Sequence, residues 1–191
     1  MTTSTRTIAR QMSANPTETS TDPAAAASRM PRQSRSWFDV FSLVWSSGLG
    51  SGYFPVASGT AGTLAALPFA FALSFVQPWW LWLVVVAAFT AITVQTAHRA
   101  GQIYGIVDAR YIVADEFAGL FVTVAFLPFT WQTAVAGFFV FRVLDIIKPW
   151  PASYFDRKVK NGFGVTFDDV VAGLFGRAAM EVLYRLGWLT F

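Results

Sequence analysis

The chain has 191 residues, of which 54% are hydrophobic, 17% aromatic and 13% charged, and its net charge is +3. That length suits one domain with a sizeable core. The composition excludes a mostly disordered chain, and it leaves too few charges for an ordinary water-facing surface, where about 25% is usual. Residues 40–98 contain no Asp, Glu, Lys or Arg, so a membrane protein is the first reading; a small positive charge with aromatics gathered in apolar runs does not suggest nucleic-acid binding.

Residues 1–36 are rich in Thr, Ser, Ala and Pro, lack apolar periodicity and carry scattered arginines, which reads as a disordered extension ahead of a domain at 37–191. No apolar core of a cleaved secretory signal is present in them. Arg29, Arg32 and Arg35, just before the apolar body, favour a cytoplasmic N-terminus. A short amphipathic stretch, 37–45, leads to the glycine-rich passage Gly48-Leu49-Gly50-Ser51-Gly52, and a second follows at Ser58-Gly59-Thr60-Ala61-Gly62-Thr63. Two apolar runs, 64–76 and 79–94, are separated by Gln77-Pro78. A more polar segment, 98–116, precedes an uncharged stretch at 117–141 with Pro128 near its middle, and an apolar helix is predicted over 135–147. A charged segment, 142–169, then leads to a final helix from 170 to about 189. The pattern is all-α, without an internal repeat.

Neither run of the first pair reaches the roughly 20 residues that cross ~30 Å of hydrocarbon. They either extend into their flanks or form a hairpin that partly enters the bilayer. As one straight helix, 117–141 would measure about 37 Å, enough to cross; bent at Pro128, it penetrates about half as far.

With no cysteine, disulfides, thiolate metal sites and cysteine nucleophiles are excluded. The single histidine, His98, follows an apolar run and reads as a helix-end or interfacial residue. The acids lie at the edges of the apolar runs. For Asp168 and Asp169 the plain account is capping of the last helix. It fits Asp115-Glu116 less well, because an apolar stretch follows at once, and it hardly fits Asp145, which lies inside an apolar helix where ionisable groups are costly. Arg142 and Lys148, three residues to either side of Asp145, share its helix face. Gathered together, Asp115, Glu116, Asp145, Asp168 and Asp169 would repel one another unless cations were bound. An oxygen-only ligand set suits Mg²⁺, which commonly links carboxylates to a phosphate. Arg142, Lys148 and Arg157 are the candidates to neutralise phosphate oxygens. The glycine-rich loops carrying Ser51 and Thr60 add donors where the chain enters a helix. A transporter or channel would also place charges in apolar helices, but would not need acid pairs beside glycine loops.

Together these blocks resemble phosphatidylglycerophosphatase A, a bacterial lipid phosphatase family. The matching residues are Gly48-Leu-Gly50-Ser51-Gly52-Tyr-Phe-Pro55, Ser58-Gly-Thr60-Ala-Gly62-Thr63 through Pro68, Val113-Ala-Asp115-Glu116-Phe-Ala-Gly119, Phe141-Arg142-Val-Leu-Asp145-Ile-Ile-Lys148-Pro149-Trp-Pro151, Phe155-Asp156-Arg157, and Gly162-Phe-Gly164-Val-Thr-Phe-Asp168-Asp169-Val-Val-Ala-Gly173. The resemblance covers 37 to the C-terminus. It departs at Ser58, where the family usually has proline, and at Asn161, where it usually has glycine, a position whose left-handed backbone Asn tolerates. The resemblance implies a Mg²⁺-dependent phosphatase of the inner membrane, with its active site facing the cytoplasm and phosphatidylglycerophosphate as its anionic lipid substrate.

Cysteine, phosphohistidine and aspartyl-phosphate (DxDxT) phosphatase signatures are absent, and so is the DGxxAR signature of CDP-alcohol phosphotransferases. Water attack on a metal-bound phosphomonoester is left. The five carboxylates are expected to hold one or two Mg²⁺, with Glu116 or Asp169 orienting or deprotonating the water and Arg142, Lys148 and the Thr60 loop binding the phosphate. If Asp115-Glu116 and Asp145 share one site, both ends of 117–141 lie on one side of the membrane and the stretch folds back near Pro128. The same holds for 64–94, with its turn at Gln77-Pro78, if Thr60 joins the site. The expected architecture is a compact membrane-embedded helical bundle with re-entrant or hairpin helices. The oligomeric state is left open.

Overall fold

The computed structural model describes residues 36–189, and the stretch expected to be disordered, apart from Ser36, lies outside them. Among the described residues the chain is all-α and has no strand. The helices are α1 (Trp37–Ser46), α2 (Ser58–Leu73), α3 (Trp79–Tyr104), α4 (Ala114–Thr123), α5 (Trp131–Ile147), α6 (Ala152–Lys158) and α7 (Gly162–Arg185), with a 3₁₀ turn at Ser51–Tyr53.

Helix α4 is the axis of the bundle. Nine of its ten residues are buried, and α2, α3, α5 and α7 all pack against it. Phe117, Leu120 and Phe121 of α4 meet Ala66 and Ala70 of α2, Trp82 and Val86 of α3, Phe141 of α5 and Ala172 of α7. Each large side chain so buried contributes about 1.5–3 kcal/mol.

The crossing of α4 with α7 is set by glycine. A Cβ on Gly173 would lie 2.4 Å from the Gly119 carbonyl oxygen, and one on Gly119 would lie 2.3 Å from the Phe141 ring and 2.8 Å from the Asp169 carbonyl oxygen. The backbones therefore touch, as small residues allow in apolar surroundings. Among the buried hydroxyls, Thr96, Thr123 and Thr166 each donate to the carbonyl four residues back in their own helices.

Both expected reversals are present. The chain turns between α2 and α3 through Gln77-Pro78 and between α4 and α5 through Pro128, and the two turns sit side by side, lining one hollow with Trp79, Phe126 and Phe129. Thus 117–141 is a hairpin and not a single span. At 1.5 Å per residue α2 is about 24 Å long and α4 about 15 Å, short of ~30 Å of hydrocarbon. Among the described residues, only α3 is long and apolar enough to cross a membrane by length and composition. Large apolar side chains face outward along the hairpins and on α5, where Val135, Phe139, Val143 and Ile146 form an exposed stripe.

Two boundaries differ from expectation. The run at 79–94 continues as helix to Tyr104, which places His98 within α3. The last helix begins at Gly162, eight residues before the predicted start, because Asn161 caps it by accepting from the Gly164 N–H at 3.1 Å. Asn161 is extended, with φ −155°, so it stands there as a cap and not as a substitute for left-handed glycine. Asp168 and Asp169 consequently lie two turns inside α7, and capping does not explain them.

Candidate active site

The N-terminus of α4 is held by a backbone clamp. The Val113 N–H donates to the Ser46 carbonyl at 2.8 Å, and Gly52 presses on Tyr111, where a Cβ would come within 2.3 Å of the carbonyl oxygen. Asp115 and Glu116 therefore enter the bundle at a fixed height. One helix away, Asp168 and Asp169 occupy the corresponding place on α7. The two pairs share a local geometry: Asp115 Oδ1 accepts from the Glu116 N–H and Asp168 Oδ1 from the Asp169 N–H, each at 3.0 Å.

These four carboxylates and Asp145 line one cavity of about 100 Å³, together with Asp108, Asp156, Lys148 and Lys160. All five acids proposed from sequence thus line one cavity, contributed by three helices, α4, α5 and α7. Arg142 bridges two, with Nη1 at 3.1 Å from Glu116 and 2.6 Å from Asp145. Lys148 bridges Asp156 at 2.9 Å and Asp168 at 2.5 Å. It does so from the left-handed backbone, φ +47°, a conformation that costs a non-glycine residue and that clusters at functional sites. Thr63 adds a 2.6 Å hydrogen bond to Glu116 Oε2.

Seven carboxylates face two lining lysines and Arg142, so negative charge is in excess. Burial, then repulsion from neighbouring acids, pushes Asp115 and Asp169 well above the usual carboxylate range. Burial also raises Glu116 to about 7 against the pull of Arg142 and Thr63, and Asp168 to about 6 against Lys148. For Lys148, burial is outweighed by Asp168 and Asp156, and its protonated form is favoured. Asp169 has acids for its principal charged neighbours and forms no ion pair among the described residues.

The expected phosphate ligands divide. Arg142 is inside the site, and its Nε is buried with no hydrogen-bond partner, leaving one donor free. Lys148 is inside as well. The first turn of α2 abuts the pair formed by Glu116 and Arg142: a Cβ on Gly59 would meet Glu116 Oε1 at 2.3 Å and the Arg142 guanidinium at 3.0 Å. Gly59 is thus a close-approach residue, and half-buried Thr60 follows it beside the site. Ser58, in the proline position of the resemblance, ties the loop by donating to the Arg110 carbonyl at 2.7 Å.

Two of the expected phosphate ligands stand apart from the cavity. Ser51 does not reach the cavity; its hydroxyl donates to the Gly48 carbonyl at 2.9 Å, closing the turn that buttresses α4. Arg157 is exposed on α6 and does not line the cavity. Adjacent helical residues do not face the same way, so Asp156, turned to Lys148, directs Arg157 outward. Sequence reasoning did not place Asp108, Asp156 and Lys160 in the site. Asp156 was findable: it lies in a short charged helix eight residues after Lys148.

The donor set fits a hard divalent cation, being all oxygen, carboxylate-rich and in charge excess. As the side chains stand, no three of them converge on one point among the described residues; Arg142 and Lys148 link them pairwise instead.

A family model described as phosphatidylglycerophosphatase A matches residues 44–184. A phosphatidylglycerophosphatase A of Escherichia coli (strain K12) is 43% identical over 141 residues, covering 73% of this chain and 80% of its own. One of Haemophilus influenzae (Rd) is 36% identical over 129 residues, covering 67% and 79%. No solved structure matches the chain.

Proposed function

Because the chain belongs to the phosphatidylglycerophosphatase A family, we propose that it hydrolyses the terminal phosphomonoester of phosphatidylglycerophosphate, giving phosphatidylglycerol and phosphate, with Mg²⁺ as cofactor. The observation that carries this reading is the convergence of Asp115, Glu116, Asp145, Asp168 and Asp169 on one cavity beside Arg142 and Lys148. These five carboxylates are the residues that would hold the metal. When bound, a divalent ion neutralises phosphoryl oxygens and favours ionised water at neutral pH.

The chain's own residues do the remainder. The unpaired Nε of Arg142, the ammonium of Lys148 and the first-turn amides of α2 at Gly59 and Thr60 bind the phosphate oxygens. Asp169, which forms no ion pair among the described residues, takes the proton of the attacking water. Bond formation at phosphorus breaks the bond to the glycerol oxygen, which takes up the proton held on Asp169 and leaves as the hydroxyl of phosphatidylglycerol.

The test is phosphate release from phosphatidylglycerophosphate in detergent micelles, with Mg²⁺ and then with excess EDTA. Release that EDTA abolishes and Mg²⁺ restores is expected; no release, or release indifferent to EDTA, defeats the proposal.

The protein works embedded in the inner membrane, with the cavity at the cytoplasmic face. The exposed apolar hairpins and α5 stripe support this, because a soluble monomer rarely carries so much contiguous apolar surface. Cysteines introduced singly at Gly105 and Lys160 should both label from the cytoplasmic side; labelling from opposite sides would overturn the topology.

A further inference from the structure

Beside the acid cavity lies a second hollow, of about 260 Å³, lined by His98, Gln102 and Lys160 with Gly101, Gly105 and Val107. It shares Val107 and Lys160 with the acid cavity, so the two are neighbours across one wall. Their chemistry is opposite: no carboxylate lines the hollow, whereas seven line the cavity.

The hollow presents donors. Gln102 Oε1 accepts from Arg99 Nη1 at 3.0 Å, which fixes the amide and turns its nitrogen to His98 Nε2 at 3.1 Å. An amide nitrogen only donates, so His98 Nε2 accepts and the ring N–H is on Nδ1. One hydrogen of the Gln102 amide and His98 Nδ1–H are left over. Lys160 donates to the Asp156 carbonyl at 2.5 Å and pairs with no carboxylate among the described residues.

On its other side the hollow adjoins an apolar groove of about 630 Å³ between α3, α4 and α7. The groove begins at Val94, Gln95 and Phe163 and runs along α3 to Trp82. Gly162, the first residue of α7, packs against α3 at the step between groove and hollow, where a Cβ would meet the Val94 carbonyl at 2.2 Å and the His98 backbone nitrogen at 2.5 Å. From 95 to 82 the groove is about 20 Å long, against the ~15 Å that one leaflet contributes to the hydrocarbon core. Arg177 at its deep end is engaged by the Ala125 carbonyl and Glu181.

We propose that this hollow is the subsite for the lipid's internal phosphodiester, with one acyl chain laid in the groove and the terminal phosphate in the acid cavity. The proposal rests on the phosphatase reading above and adds how the substrate is chosen. The headgroup glycerol crosses the shared wall at Val107 and Lys160. Phosphatidate, whose only phosphate is the monoester, leaves the hollow empty and is disfavoured.

The test compares phosphatidylglycerophosphate with phosphatidate in the same micelles with Mg²⁺, for the native protein and a His98→Leu/Gln102→Leu variant. The ratio of their kcat/KM values is expected to fall about tenfold, through KM for phosphatidylglycerophosphate. In EDTA, the Kd of short-chain phosphatidylglycerol, with diacylglycerol of the same chains as the control, should rise about as much in this variant and in Lys160→Glu. An unchanged ratio, or phosphatidylglycerol affinity that these substitutions do not alter, overturns the subsite. Native protein that hydrolyses neither lipid overturns the proposed function alone, and the phosphatidylglycerol arm then decides the subsite.

Discussion

Asp169→Asn is expected to lower kcat about 10²–10⁴-fold, the usual contribution of a positioned acid or base, while leaving the metal-free protein at least as stable as the native one. The two effects have one cause. Asp169 is buried among Asp115, Asp145 and Asp168, and its carboxyl is pushed up by burial and by their charge. An amide of the same shape removes the repulsion and the desolvation cost of a buried charge, and with them the proton acceptor. The measurement pairs steady-state kinetics in Mg²⁺ with thermal unfolding in EDTA. Activity within tenfold of native would remove Asp169 from the mechanism, and a lower unfolding midpoint would show that the cluster is not under electrostatic strain.

The same excess of acid fixes a pH dependence for the metal-free protein. Folding raises Glu116 from 4.5 to about 7 and Asp168 from 3.8 to about 6. Between those limits the folded state binds more protons than the unfolded one, so stability falls as pH rises through the window. The midpoint in EDTA should be higher at pH 5 than at pH 8; the opposite order would contradict the assigned shifts.

Gly173→Ala is expected to have the second largest effect, a loss of about 1–3 kcal/mol together with a fall in kcat. The added methyl would meet the Gly119 carbonyl oxygen at 2.4 Å and Val122 Cβ at 3.1 Å. Backbone cannot swing aside as a flexible side chain does, so α4 and α7 must separate, and they carry the two acid pairs. Val182→Ala, at a 55% exposed position of the same helix, is the control and should leave both quantities near native. A Gly173→Ala protein with native midpoint and rate would show that the crossing has slack.

Much of this was legible in the chain. Charges inside or beside apolar runs stood out because water-facing positions are so few, and requiring Asp115-Glu116 and Asp145 to share a site forced the reversal at Pro128, while that at Gln77-Pro78 followed from adding Thr60 to the site. What sequence could not supply was orientation within short polar segments. Ser51 and Thr60 look alike as hydroxyls in glycine-rich loops, yet Ser51 closes a turn, while Thr60 follows Gly59, the residue pressed against Glu116. Arg157 and Asp156 are adjacent, and only the packing of α6 on α7 decides which faces Lys148. The early start of α7 was hidden because Gly162 and Gly164 weaken a helical pattern that Asn161 and the fit against α3 restore.

The contact of Gly119 with Gly173 lies about one turn beyond each acid pair, and it behaves as a pivot with a lever arm of about 5.4 Å. Tilting one helix about it by roughly 10° would displace the carboxylates by about 1 Å, a shift that can cost about a hundredfold in rate. Substitutions far out on either helix, near Met180 or Phe126, can therefore change turnover by angle alone, without touching a charged group.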